Sequence, residues 1–186
     1  MSGFNVLAQS DAAMTRAAFT ADDFKAVFRQ HPGGVALITA VGSGGPVAMT
    51  ATSVASVSAE PPILVFSVSE LSSSAPTLRE AESAVVHLLD AETLHLAQLG
   101  ATSGIDRFAD ETLWTRLVTG EPVFHGTRWL RAEIMDRITA GTATLVVARA
   151  VESNVSAAEA GPAAGHDGLA YVNRAWHRLD EASRIA

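Results

Sequence analysis

The chain has 186 residues, of which 48% are hydrophobic and 18% charged, with a net charge of −7 and no cysteine. That size and composition suit a globular chain with a real core and exclude a disordered one. The acidic balance argues against a nucleic-acid partner, which would need a basic surplus to neutralise phosphates. Without cysteine there is no disulfide, thiol nucleophile, CxxC redox pair or thiolate metal site, so any redox chemistry must ride on a bound cofactor. The N-terminus lacks the basic start and apolar centre of a signal peptide, and no apolar run approaches bilayer length. The reading is of a soluble, cytoplasmic protein with no membrane partner.

Residues 1–20 read as an N-terminal arm ahead of a single domain over residues 21–186. Thr20 is placed as an N-cap, with Asp22 and Asp23 in the first turn, where the helix dipole favours negative charge. Phe24, Val27 and Phe28 recur at helical spacing, which predicts a face turned to the core. Pro32-Gly33-Gly34 stops that helix. Residues 35–41 predict a buried strand, and the glycines of residues 42–45 a turn. Residues 47–58 then run without charge, glycine or proline. As one strand they place Val47, Met49, Ala51, Ala55 and Val57, with Ser53, on one face. Thr50, Thr52, Ser56 and Ser58, with Ala48 and Val54, fall on the other. Hydroxyls without charge suit a covered surface, whether the cover is tight packing, another chain or a flat polar ligand.

Glu60-Pro61-Pro62 ends that strand, because proline cannot donate to a central ladder. Residues 63–69 predict another strand, and Ser72, Ser73 and Ser74 a hydroxyl-rich loop. Thr77-Leu78-Arg79-Glu80 has the pattern of a capping box. Residues 83–89 read as a strand, and Asp90 as the cap of a helix reaching Leu99 and closed by Gly100. Residues 105–114 form a loop holding Asp106-Arg107-Phe108. Two long strands, 129–138 and 142–152, flank Gly141; a small-residue loop, 153–168, precedes a strand pair in 169–179. Strands follow strands, with three short helices between them. This predicts a mainly β fold, an antiparallel barrel or sandwich.

Motif searches are mostly negative. Lys25, the only lysine, has no P-loop around it, and residues 42–45 open a strand where a dinucleotide fingerprint would open a helix. Gly100-Ala101-Thr102-Ser103-Gly104 carries its serine one place late for a nucleophile elbow. No His-Glu-x-x-His occurs, and His87 and His95 read as structural histidines, so no metal site is expected. Arg107 is either one half of a loop ion pair or the forked cation for a phosphate.

Several landmarks occur in a particular order. They are Phe28 through Pro32-Gly33-Gly34-Val35, Gly45-Pro46-Val47-Ala48-Met49-Thr50 and Thr52-Ser53-Val54-Ala55-Ser56-Val57-Ser58. Pro61-Pro62, Ser72 to Ser74, Asp106-Arg107-Phe108, Trp114, Tyr171 and Trp176-His177-Arg178-Leu179 follow. Together they span nearly the whole chain, which resembles the flavin reductase-like family with its FMN-binding split-barrel fold, an antiparallel, Greek-key-like split β-barrel. The resemblance implies a homodimer that binds FMN or FAD, reduces it with NADH or NADPH and passes reduced flavin to a partner monooxygenase. It places Met49, Thr50, Ala51, Thr52 and Ser53 along the flavin ring. Ser56, Ser72, Ser73 and Arg107 would lie toward the ribityl-phosphate arm, with Phe108 close by, Ser67 also binding the cofactor and Tyr171 on the nicotinamide side. No residue is assigned a catalytic role, since the flavin carries the chemistry.

Three positions depart from the family pattern. Gly33 stands where the family usually has threonine, His87 where asparagine is common, and Gly141-Thr142-Ala143 where Gly-Asp-His is common. That histidine is associated with the nicotinamide side. Ala143 therefore raises the alternative of a flavin-binding protein, or a flavoenzyme acting on another substrate, that makes no use of NAD(P)H. A dimeric β-barrel interaction module is a third reading.

Overall fold

In chain order the elements are α1 (Ala21–Arg29), β1 (Gly33–Gly34), β2 (Ala36–Gly42), β3 (Gly45–Ala51), β4 (Ala55–Ala59), β5 (Pro62–Ser69) and α2 (Ala75–Glu80). Then come β6 (Ser83–Leu88), α3 (Leu94–Ala101), β7 (Trp114–Arg116), β8 (Pro122–Phe124), β9 (Arg128–Ala140), β10 (Ala143–Ser153), β11 (Gly168–Val172) and β12 (Ala175–Leu179). The structure, a computed structural model, describes residues 18–156 and 167–185. Nearly all of the predicted arm and most of the 153–168 loop lie outside them.

Seven strands form one antiparallel sheet in the order β3-β2-β6-β9-β10-β5-β4. Its two edges, β3 and β4, are consecutive in the chain and joined by residues 52–54 alone. A flat seven-stranded sheet would hold its edges about 29 Å apart at ~4.8 Å per strand. The link from Ala51 to Ala55 spans roughly 14 Å at full stretch. The sheet must curl until its edges meet, which makes a barrel.

Where the sheet curls round, β3 shares no ladder with β4 or with β5 behind it, and side chains close the gap instead. The amide of Ser67 donates to Ser53 Oγ at 3.0 Å, and Ser74 Oγ donates to the Ala48 carbonyl at 3.0 Å. Ser72 Oγ approaches Met49 Sδ at 3.9 Å. The barrel is thus split along β3, and backbone and hydroxyls that a ladder would occupy remain at the surface.

Apolar side chains pack on both sides of β2. Ile38, Met49, Phe66, Val68, Val86 and Val146 fill the barrel interior. Leu37, Ala48, Leu96, Phe124 and Leu169 form a second core outside it, beneath α3. The continuous apolar run predicted for this strand reflects burial on both faces. In β5, by contrast, Leu64, Phe66 and Val68 alternate with more exposed residues, the period-two pattern of a strand with one face inward.

The structure corrects several sequence expectations. Residues 47–58 are two strands at opposite sheet edges. Uninterrupted alternation could not reveal the crossover, because residues 52–54 are as polar and β-branched as their neighbours. Thr20 caps α1 in a capping box with Asp23, as expected of the cap, but no residue of α1 is buried. Phe24, Val27 and Phe28 are more than half exposed, because the end of the helix is tied to the turn between β11 and β12 and the helix does not lie over the sheet. Thr77 lies inside α2. Pro76 takes the first turn, which suits its fixed φ, and Ser74 at the N-cap position gives its hydroxyl to Ala48. Asp90 accepts from the amides of Glu92 and Thr93, one turn before α3 begins. Gly100 lies within α3. Unforeseen were β1, which pairs Gly33 with Tyr171, the β7–β8 hairpin and a 3-10 turn at Glu181–Ser183.

Candidate functional site

A groove of about 630 Å³ follows the split. One wall is Met49, Thr50 and Ala51 at the end of β3, continuing into Thr52 and Ser53 of the crossover. Opposite stand Ser67 and Ser69 of β5 and the turn bearing Leu71, Ser72 and Ser73. The third side is the end of α3 and the segment after it, Gly100, Ala101, Ser103, Gly104 and Arg107. Nine sequence-predicted residues therefore meet here: Met49, Thr50, Ala51, Thr52, Ser53, Ser67, Ser72, Ser73 and Arg107.

Local physics positions each wall. Thr50 Oγ1 donates to the Ala97 carbonyl of α3 at 2.6 Å, so this hydroxyl fastens the helix. Gly100 permits that approach. A Cβ there would stand 2.4 Å from both Leu37 Cδ1 and Thr50 Oγ1. The wall contributed by residues 100–104 was missed by the sequence reading. Its only signal in the sequence is the run of small residues Gly100-Ala101-Thr102-Ser103-Gly104.

Arg107 is the one charged side chain among the lining residues. Its Nη2 donates to the Thr102 carbonyl at 2.7 Å, its Nε to the Leu99 carbonyl at 3.3 Å and its Nη1 to Ser73 Oγ at 3.5 Å. A cation at the carbonyl end of a helix is favoured by the dipole. Those contacts fix the guanidinium between α3 and the serine turn while leaving part of its fork open to the groove. Asp106 forms no ion pair with it; the carboxylate accepts from the Phe108 amide at 2.9 Å.

Three predicted residues lie elsewhere. Phe108 packs against Trp114 and Phe124, with ring centroids 5.1 and 5.7 Å away, at the margin of the outer core. Ser56 lines a separate apolar cavity of about 290 Å³ with Leu64, Val86 and Leu130. Tyr171 lines a second groove, about 530 Å³, with Phe28, His31 and Gly33. Thr52 and Ser53 line both this groove and the first, so the crossover is their common wall.

The departures also find their places. A Cβ on Gly33 would lie 2.9 Å from Thr52 Cβ and from the Thr52 carbonyl oxygen. The Thr52 side chain thus fills the space that a side chain at 33 would need. Ala143 opens β10 opposite Ser69 of the groove, where its methyl offers neither a proton nor a hydrogen bond. His87 is fully buried, with Nδ1 2.9 Å from the Leu37 carbonyl and Nε2 3.1 Å from the Phe124 amide. Those partners set the neutral tautomer with hydrogen on Nδ1. Burial outweighs the bond to Leu37 and lowers its pKa to about 4. Glu121 is buried too, and burial pushes its carboxyl up. Bonds from Ser83, Thr119, its own backbone and Arg131 prevail and hold it below its ordinary value. Neither group lines the groove.

Comparison with known proteins identifies relatives of the whole domain. Residues 28–180 match the sequence model of the flavin reductase like domain. An NADH:FMN oxidoreductase of Rhodococcus qingshengii is 46% identical over 157 residues, 81% of each chain. The reductase component of a 4-nitrophenol 4-monooxygenase/4-nitrocatechol 2-monooxygenase from Rhodococcus opacus is 27% identical over 70% of each. Among solved structures, a flavin reductase domain protein from Arthrobacter sp. FB24 superposes with a TM-score of 0.76 at 32% identity, covering 86% of this chain and 95% of that one.

Proposed function

The chain belongs to the flavin reductase-like domain family, and on that premise we propose that it is an NADH-dependent flavin reductase whose flavin lies in the groove along the barrel split. The supporting observation is the groove itself. It is lined by hydroxyls and small residues with a single fixed cation, and its volume falls in the ~300–1,000 Å³ range of small-molecule sites.

The residues present fit FMN. Arg107 with Ser72 and Ser73 would hold the phosphate, a forked cation beside neutral donors. Backbone and side-chain groups of Met49, Thr52 and Ser53 would meet the polar edge of the ring, and Gly100, Ala101 and Gly104 would let it lie close to α3. Ser56 and Phe108 are left out of this assignment, since neither lines the groove. When bound, FMN supplies the hydride-accepting ring, which is why the chain needs no nucleophile or strong acid. The protein's part is to orient, through the crossover shared by both grooves, and to exclude water on the α3 side. With one cation in the lining, binding is modest, as suits a flavin that is released. Tyr171 is assigned to the nicotinamide side. Ala143 leaves orientation there to other groups.

The reading extends to a cytoplasmic homodimer, one domain over residues 21–186, that hands reduced flavin to a monooxygenase component; the Rhodococcus opacus relative is the reductase component of such a monooxygenase. Among the described residues no helix is long and apolar enough to cross a membrane. Met135 and Ile138 of β9 expose apolar surface that pairing of two copies would cover. The test is NADH oxidation by the purified protein with FMN, FAD or no flavin added. Turnover that depends on added flavin is expected. Absence of turnover with either NADH or NADPH, together with unquenched flavin fluorescence, overturns the assignment.

A further inference from the structure

Beyond Tyr171 the second groove runs into a third, of about 310 Å³, between α1 and the β11–β12 turn. Phe28, His31 and Tyr171 line both. The third groove adds Lys25, Arg29 and Arg174 to the aromatic rings of Phe24, Phe28 and Tyr171. A chain with a net charge of −7 thus gathers its only lysine and two arginines in one cavity. Lys25 is paired with Asp22 at 3.1 Å. The guanidinium groups of Arg29 and Arg174 pair with no carboxylate of the described residues.

The cluster is held in place. The Asn173 amide donates to the Arg29 carbonyl at 2.8 Å, tying the turn to the end of α1. The turn has φ of 50° at Asn173 and 62° at Arg174, both left-handed. Hairpin turns of this kind favour glycine at the second position, because a side chain there is strained by roughly 1 kcal/mol or more. Arginine occupies it here, and the side chain so presented lines the cavity. An isolated helix cap or a solvated charge would need neither feature.

We infer that this shelf binds the adenosine-diphosphate half of a dinucleotide, with Arg29 and Arg174 on the pyrophosphate and Phe24 or Phe28 offering a face to the adenine. The inference rests on the flavin reductase reading for its choice of ligand. The shelf shares Phe28, His31 and Tyr171 with the second groove, which shares Thr52 and Ser53 with the flavin groove, so the three adjoin in the order one extended molecule would follow. NADH and FAD share this half, and the experiment separates them.

Arg174→Gly removes the cation while relieving the turn, so folding is preserved, and Arg29→Gln removes the second. In the double variant with FMN as acceptor, KM for NADH is expected to rise about tenfold or more with kcat unchanged, since loss of charge-assisted contacts of this kind is worth at least that factor. Reduced nicotinamide mononucleotide, which lacks the adenylate half, should serve wild type and variant equally. If FAD affinity falls while FMN affinity and the KM for NADH hold, the shelf serves the flavin dinucleotide. If NADH kinetics and FAD binding are both unchanged, the inference is overturned while the flavin reductase reading stands. Should the wild type show no turnover, calorimetry with ADP alone still decides: binding lost in the double variant supports the shelf, and no binding to the wild type removes it.

Discussion

Single atoms decide whether the groove exists. Gly100 lies inside a helix, where glycine is unfavourable by roughly 1 kcal/mol against alanine, yet alanine would drive its Cβ into Leu37 and Thr50. Gly100→Ala is expected to destabilise the protein by about 1–3 kcal/mol through overpacking, read as a lower urea midpoint. Gly44→Ala, where nothing stands within 4 Å of an added Cβ, should move it little. Arg107 yields a test of ligand chemistry. Arg107→Met should weaken FMN binding about tenfold, the scale of one charge-assisted contact, while leaving riboflavin, which has no phosphate, bound as before. Equal losses for both flavins would mean that the arginine serves only α3. At this scale the sequence was informative about residue type and silent about duty. Arg107 was legible as a candidate phosphate cation, whereas Thr50 Oγ1 turned out to hold a helix, because a hydroxyl pattern looks the same facing a ligand or a carbonyl.

Among the elements, His87 joins three strands: it sits on β6, bonds β2 through Leu37 and receives the amide of Phe124 in β8. Its folded pKa, about 4, lies below the ordinary 6.5, so the unfolded chain takes up the proton first. The stability it supports is complete above pH 6.5 and declines as pH falls toward 4, by about 3 kcal/mol across that window. His87→Asn can keep the donor to Leu37 and carries no titrating group. It is expected to flatten that part of the stability–pH curve, measured by urea titrations at several pH values. An unchanged slope would count against the buried, neutral histidine. The β7–β8 hairpin that supplies Phe124 could not be read from sequence, since three-residue strands carry too little alternation to register. The exposure of Phe24 and Phe28 had a similar cause: their helical spacing reports an apolar face without saying what it meets.

For the whole molecule, the decisive feature is closure without a ladder. The Ser53–Ser67 bond spans the split, and Ser53→Ala should cost about 1 kcal/mol of stability, the ordinary worth of one hydrogen bond. Its effect on FMN affinity should be larger, because it loosens the groove wall as well as removing a hydroxyl. Comparing urea denaturation with fluorescence quenching checks this, and an affinity unchanged from wild type would place Ser53 outside the ligand's reach. The sequence by itself determined the mainly β character, the positions of most strands and the composition of a hydroxyl-rich, nearly uncharged site. Those follow from local alternation, turn residues and side-chain chemistry. Only the tertiary structure decided that residues 47–58 divide between opposite sheet edges, that Ser56 and Phe108 fall away from the groove, and that the end of α3 forms its third wall. Each depends on a short link drawing distant strands together, a constraint on distance that no local pattern carries.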